Sequence, residues 1–206
     1  MKMKHALTGL LVLQSILAFS QPVPVEAMAG GNNYWYQHSV YRQFPAGSRF
    51  GFFHVSSLQV FYNGDRANQV MSQSYLTYRL TAGAKLALGS FYATGPGFSP
   101  SLAVQFTKKT DDWLLLIVPR VDLTRNATCE AMVMAEYTPM LSKKVGIYSR
   151  VQLMSNYGTC HNRSYQHLRI GLSVNRIRFG GALNLDEYAR EKQIRANVGV
   201  FIKTDV

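Results

Sequence analysis

From about residue 48 to the C-terminus, apolar and polar residues alternate along the chain with a period of two. In the last segment Ile194, Ala196, Val198, Val200 and Ile202 interleave with Arg195, Asn197, Gly199, Phe201 and Lys203. Before it, Ile177, Phe179, Gly181, Leu183 and Leu185 alternate with Arg178, Gly180, Ala182, Asn184 and Asp186. Earlier still, Leu168, Ile170, Leu172 and Val174 alternate with His167, Arg169, Gly171 and Ser173. A strand points successive side chains to opposite faces, so this pattern predicts strands; a helix needs apolar residues three and four apart. The chain reads as all-β, with about ten strands and twelve as the other even count. The strands fall at 48–62, 69–80, 85–93, 100–109, 112–122, 129–137, 144–156, 164–175, 176–186 and 193–204. Asn63-Gly64-Asp65, Gly95-Pro96-Gly97 and Asn156 to Gly158 supply turn chemistry between them.

Strand length separates two all-β classes. Soluble strands centre on about five or six residues, whereas a strand crossing a bilayer at about 45° needs about 9–11. The predicted strands are of the second kind. One face of them is Val, Leu, Ile, Phe and Ala, with Tyr78, Tyr92 and Tyr137 near strand ends. The other face carries Arg79, Arg120, Arg150, Arg169, Arg178, Arg195, Glu130, Glu136 and Asp186. Lipid outside and water inside select that division, so the expected architecture is an antiparallel up-and-down transmembrane barrel with these charges toward the lumen. About eight strands already fill a barrel with side chains, so the acids and arginines are expected to pair across a largely filled bore. An even strand count puts both chain ends on one side, and the connections at the other end are expected to be the longer ones.

Two stretches depart from the pattern. Residues 21–47, aromatic-rich from Tyr34 to Phe44, alternate less cleanly and are read as an N-terminal cap or plug before a barrel at 48–206; an extra strand is the alternative. In Phe50 to Tyr62 the apolar phase switches from Phe53 and Val55 to Leu58 and Val60, which a β-bulge at Ser56-Ser57 would reconcile.

Composition adds the compartment. Of 206 residues 47% are hydrophobic and 16% charged, which excludes a disordered chain, a coiled coil and a collagen. Residues 1–20 combine Lys2 and Lys4 with an apolar run and a small-residue site at Ala18-Phe19-Ser20, the make-up of a secretory signal peptide; a second small-residue site would place cleavage after residue 27. The longest later apolar run is Trp113 to Val118, so no second segment reads as a membrane helix. An exported chain meets oxidising conditions, so Cys129 and Cys160 are expected to form a disulfide at one end of the barrel. The net charge of +11 is spread along the strands rather than gathered in a patch, which argues against nucleic acid. His161, His167 and Cys160 do not match a zinc spacing, and no metal or cofactor is expected.

The leader and residues 48–206 together resemble the small bacterial outer-membrane β-barrel proteins, the porin-like group. Asn197-Val198-Gly199-Val200-Phe201-Ile202 is similar to the terminal signal by which such barrels are handed to the insertion machinery, with Asn197, Gly199, Phe201 and Ile202 as its matching residues. The chain departs from it in Thr204 and in ending at Val206. The resemblance implies the cell outer membrane as location, with outer-membrane lipid and the insertion machinery as partners; no motif specifies a further protein partner. His54-Val55-Ser56 also resembles the His-x-Ser of outer-membrane lipid A deacylases, which would make His54 a base and Ser56 a nucleophile. Ser57 stands where that family has asparagine, the pair sits on an early strand, and Asp65 is a loop acid. The expected role is therefore structural or accessory and non-enzymatic. The alternatives are a small passive pore preferring anions and a lipid A-modifying barrel enzyme.

Overall fold

The computed structural model describes residues 22–206 except 46, 63, 65–67 and 189–193. The signal-peptide reading of residues 1–20, and Asp65, lie outside the described residues. Twelve strands close into an antiparallel barrel. They are β1 Pro24–Gly30, β2 Asn33–Gln43, β3 Phe50–Phe61, β4 Gln69–Arg79, β5 Ala84–Ala93 and β6 Gly97–Lys109. The circuit continues with β7 Trp113–Asp122, β8 Cys129–Tyr137, β9 Val145–Tyr157, β10 His161–Val174, β11 Ile177–Tyr188 and β12 Ile194–Asp205. Each strand pairs with its sequence neighbours, and β1 pairs with β12 from Pro24↔Asp205 to Gly30↔Gly199. Closure leaves no unpaired edge, the condition for a sheet in hydrocarbon.

The twelve-strand count corrects the cap. Residues 24–43 are β1 and β2, wall strands rather than a plug. Their alternation is hard to see because each mixes residue kinds across its faces. Glu26 points inward and Ala27 outward on β1, while β2 has Tyr34 and Tyr36 outside and Trp35 inside. Without them β3 and β12 would present bare edges. Cleavage after residue 27 would likewise cut β1 in the middle of its pairing with β12. The expected bulge is also absent: β3 pairs continuously with β2 and β4 through Ser56 and Ser57.

Both termini lie at one end of the barrel, the terminal end. The connections there are not shorter than those at the far end. At the far end 62–68 is the longest and 31–32 the shortest; at the terminal end 138–144 matches the first and 175–176 the second. Asn175 takes φ 55°, the left-handed conformation a two-residue hairpin turn requires and asparagine tolerates.

Outside, the wall from β9 round to β12 is mostly apolar, with Ser149, Ser155, Ser164 and Gln166 among the exceptions: Ile147, Val151, Leu153, Ile170, Leu172, Phe179, Val198, Val200 and Ile202 are all exposed. Aromatic rings gather at both rims. Tyr34 packs edge-on against Tyr62 at the far end (4.7 Å), and Trp113 stacks on Tyr137 at the terminal end (4.3 Å). An apolar band between aromatic girdles is the surface that lipid selects.

Candidate functional site

The lumen is the first candidate, and buried ion pairs run through it. On β1, Glu26 reaches across the bore to Arg150 of β9 (2.6 Å) and Arg169 of β10 (2.8 Å). Arg169 also donates to Asn184 Oδ1 (2.8 Å) and lies over the Trp35 ring. A second chord joins Lys203 of β12 to Glu136 of β8 (2.6 Å), with the Tyr148 hydroxyl donating to the same carboxylate (2.9 Å). Beside these charges Met28, Trp35, Tyr148, Ala182 and Phe201 form an apolar cluster. Arg169 is 1% exposed and Tyr148 0%, values of a protein core rather than of a wet channel wall. Toward the far end, Tyr188 of β11 donates to Gln69 Oε1 of β4 (2.8 Å), bridging nearly opposite strands. Arg163 pairs with Asp186 (2.6 Å) just beside it. On the other side of the bore Arg120 lies over the Phe91 ring (3.8 Å) and pairs with Glu130 (2.9 Å) and Asp122 (3.5 Å).

The second candidate faces the other way. On β3 the odd residues Gly51, Phe53 and Gln59 turn inward and the even residues Phe50, Phe52 and Leu58 outward. His54 and Ser56 are therefore on the lipid side. His54 Nδ1 lies 2.8 Å from Ser74 Oγ, and His54 Nε2 lies 3.0 Å from Ser56 Oγ. Ser56 in turn donates to Ser72 Oγ (3.2 Å). With the Ser56 proton on Ser72, Nε2 is the ring's donor and Nδ1 accepts from Ser74, a network that places the protons of His54, Ser56 and Ser74 and leaves the Ser72 hydroxyl free to donate. His38 sits alongside, its ring 5.5 Å from that of His54. On the inner side of the same strands lies apolar packing: Tyr75, Ala87 and Ala103 with Phe53 and Val118. In this sector the barrel is locally inverted, apolar within and polar without. That inversion, not a bulge, is the cause of the phase switch in the β3 sequence.

No family model matches the chain, and no curated protein matches it in sequence. Solved structures do match in fold. The KdgM porin superposes with a TM-score of 0.51 at 12% identity, covering 90% of this chain and 99% of that one. The KdgM porin in complex with disordered oligogalacturonate gives 0.50 at 13%, with the same coverage. LpxR from Salmonella typhimurium gives 0.48 at 8%, covering 89% of this chain and 99% of that one. The fold is that of a small outer-membrane, porin-like barrel. At these identities the likeness is one of architecture and carries no residue roles.

Within this porin-like barrel the sequence-derived residues fall in distinct places. Arg120, Arg150, Arg169, Glu136 and Asp186 are buried in the lumen. Arg178 pairs with Asp205 at the terminal end (3.0 Å), Arg195 lies over the Tyr188 ring (4.8 Å) and Arg79 is exposed at the end of β4. Ion-pair participants that escaped the sequence reading include Glu26, hidden in the supposed cap, and Lys203, Arg163 and Asp205 near strand ends. Counting Glu26 with Met28 as one face of a strand would have found the first.

Among the residues of the terminal motif, Asn197 donates to Asn33 Oδ1 (3.0 Å), and Phe201 is in the lumen cluster. Ile202 faces lipid. A Cβ on Gly199 would collide with the Ala29 carbonyl and the Gly30 backbone, so β1 and β12 can close only over a glycine there. The expected disulfide is corrected: Cys129 and Cys160 are both free and exposed. Cys129 pairs with Tyr157 across the ladder, and Cys160 lies beyond that strand end in the turn leading to β10.

Proposed function

We propose that the protein is an integral outer-membrane barrel with a structural or accessory role and a lumen closed to solutes. The observation that carries this reading is the pair of ion-paired chords through the bore, Glu26 to Arg150 and Arg169, and Lys203 to Glu136. Buried charges held this way are satisfied by each other rather than by passing ions, and removing either partner strands a charge. The test is conductance of the purified protein in planar bilayers. Currents should be small or absent; large, stable single-channel steps would replace this reading with that of an open pore.

A lipid-modifying enzyme is the second reading, and one observation supports it: a serine hydroxyl 3.0 Å from a histidine ring nitrogen on a lipid-facing wall. Two physical features weigh against it. The group on the other ring nitrogen is Ser74, a hydroxyl, where a base is usually oriented by a carboxylate or amide. The pair also lies deep. Ser56 is five residues from Phe61 at the far end of β3. At about 3.3 Å per residue and a tilt of about 40°, that is about 12 Å below the rim, in hydrocarbon without water for hydrolysis. Lipid A acylation measured with the intact protein and with His54→Ala and Ser56→Ala should be the same in all three. An acylation change that disappears with both substitutions would establish the enzyme.

A further inference from the structure

The polar sector on the lipid face of β2–β5 gathers six side chains in two adjacent rows, whereas the outer face of β9–β12 is mostly apolar with Ser149, Gln166 and the Ser155–Ser164 pair among the exceptions, and the ion pairs of the lumen do not account for the sector. Its register is orderly. Two polar rows run across the wall, His38–Ser56–Ser72 and His54–Ser74–Ser90. Toward the far end they are bordered by Tyr36, Leu58 and Val70, and toward the terminal end by Phe52, Leu76 and Leu88. The apolar borders are the more exposed: Leu76 is 49% exposed and Leu88 56%, whereas the serines and histidines between them are partly buried. The result is a partly buried polar band at hydrocarbon depth. Lipid chains offer hydroxyl and imidazole groups nothing to bond, so polar groups in a membrane segment are placed to meet protein or water.

We propose that this face is the contact between two copies of the chain in the membrane. Three features select a second copy as occupant. The partner must itself cross the bilayer and bring polar groups to the same depth, which another copy does by construction. Each serine hydroxyl both donates and accepts, so the patch is complementary to itself across a two-fold axis. The patch carries no carboxylate, lysine or arginine within its two rows, so two copies meet without like-charge repulsion. Small serines in the band let the two walls approach, and the leucine and phenylalanine borders close around the polar centre. The inverted interior completes the picture: Phe53 and Tyr75 support the same strands from inside with apolar packing, leaving the polar residues to the outer contact.

The test uses full-length protein in lipid vesicles. Photobleaching of singly labelled chains at low density should show mostly two steps for the wild type and one for the Ser72→Leu/Ser90→Leu variant. Ser72→Cys, with Cys129 and Cys160 changed to serine, should give an oxidised dimer in native membranes. Ile170→Cys in the same background, on the opposite wall, should give at least ten-fold less. Single-step bleaching of the wild type, dimers that survive the leucine pair, or equal cross-linking at residue 170 would each overturn the proposal. Cross-linking of Ser72→Cys only to a chain of different mass in cells would overturn it in favour of another membrane partner. Wild-type bleaching and the cysteine results stand even if the leucine variant fails to fold, and none of these readings depends on whether the lumen conducts.

Discussion

Glu26 is the residue on which the lumen turns. Its carboxylate faces two buried guanidinium groups, Arg150 and Arg169, and is itself 3% exposed. Glu26→Gln keeps the size and removes the charge, leaving two buried cations with no formal counter-charge at that point. The loss should be about 3–5 kcal/mol, read as a lower temperature at which the folded form converts to the unfolded one on unheated-sample gels. Replacing Glu136, which faces Lys203 and the Tyr148 hydroxyl, should act in the same direction. The two cysteines give a different residue-scale expectation. Both are exposed and unbonded, so a maleimide should label two thiols per native chain without reductant. No labelling would mean that the far ends of β8 and β9 are rearranged.

Among the elements, β1 is the most exposed to error and the most necessary. It has 7 residues, against 12 for β3 and 13 for β9, yet it alone joins β12 to β2. Its closure with β12 depends on Gly30 and Gly199 lying opposite each other, where any Cβ would meet backbone or the Asn197 side chain. A mature chain beginning after residue 27 would lose Glu26 and the first half of that ladder. Mass spectrometry of protein extracted from membranes should therefore place the mature N-terminus at or before Pro24. A start at Met28 would show that the barrel closes in some other register.

The whole molecule is a wall with two solvents reversed. Charges and hydroxyls pair within, and mostly aliphatic side chains meet lipid without, apart from the β2–β5 sector. Such a barrel is held by an unbroken circuit of backbone hydrogen bonds and unfolds as a unit. It should require detergent for extraction and migrate differently before and after boiling. Recovery in the soluble fraction after gentle lysis would contradict a lipid-facing exterior.

Alternation alone was enough to make β9–β12 legible. There most outward residues are apolar, with Ser149, Ser155, Ser164 and Gln166 among the exceptions, and Arg169, Asn184 and Asn197 are among the inward ones, so period two and polarity largely agree. They disagree in β1, where Glu26 lies between small residues, and in β3, where Phe53 faces inward and His54 outward. The sequence by itself determined the strand class, the long strands and the two unlike faces, because side-chain direction in a strand is local. Only tertiary structure decided closure at twelve, the partners of Glu26, the free cysteines and the outward turn of the His54–Ser56 pair. Those depend on which residues meet across the bore and around the wall, and a chord from β1 to β9 joins positions 124 residues apart, a distance that no local pattern spans.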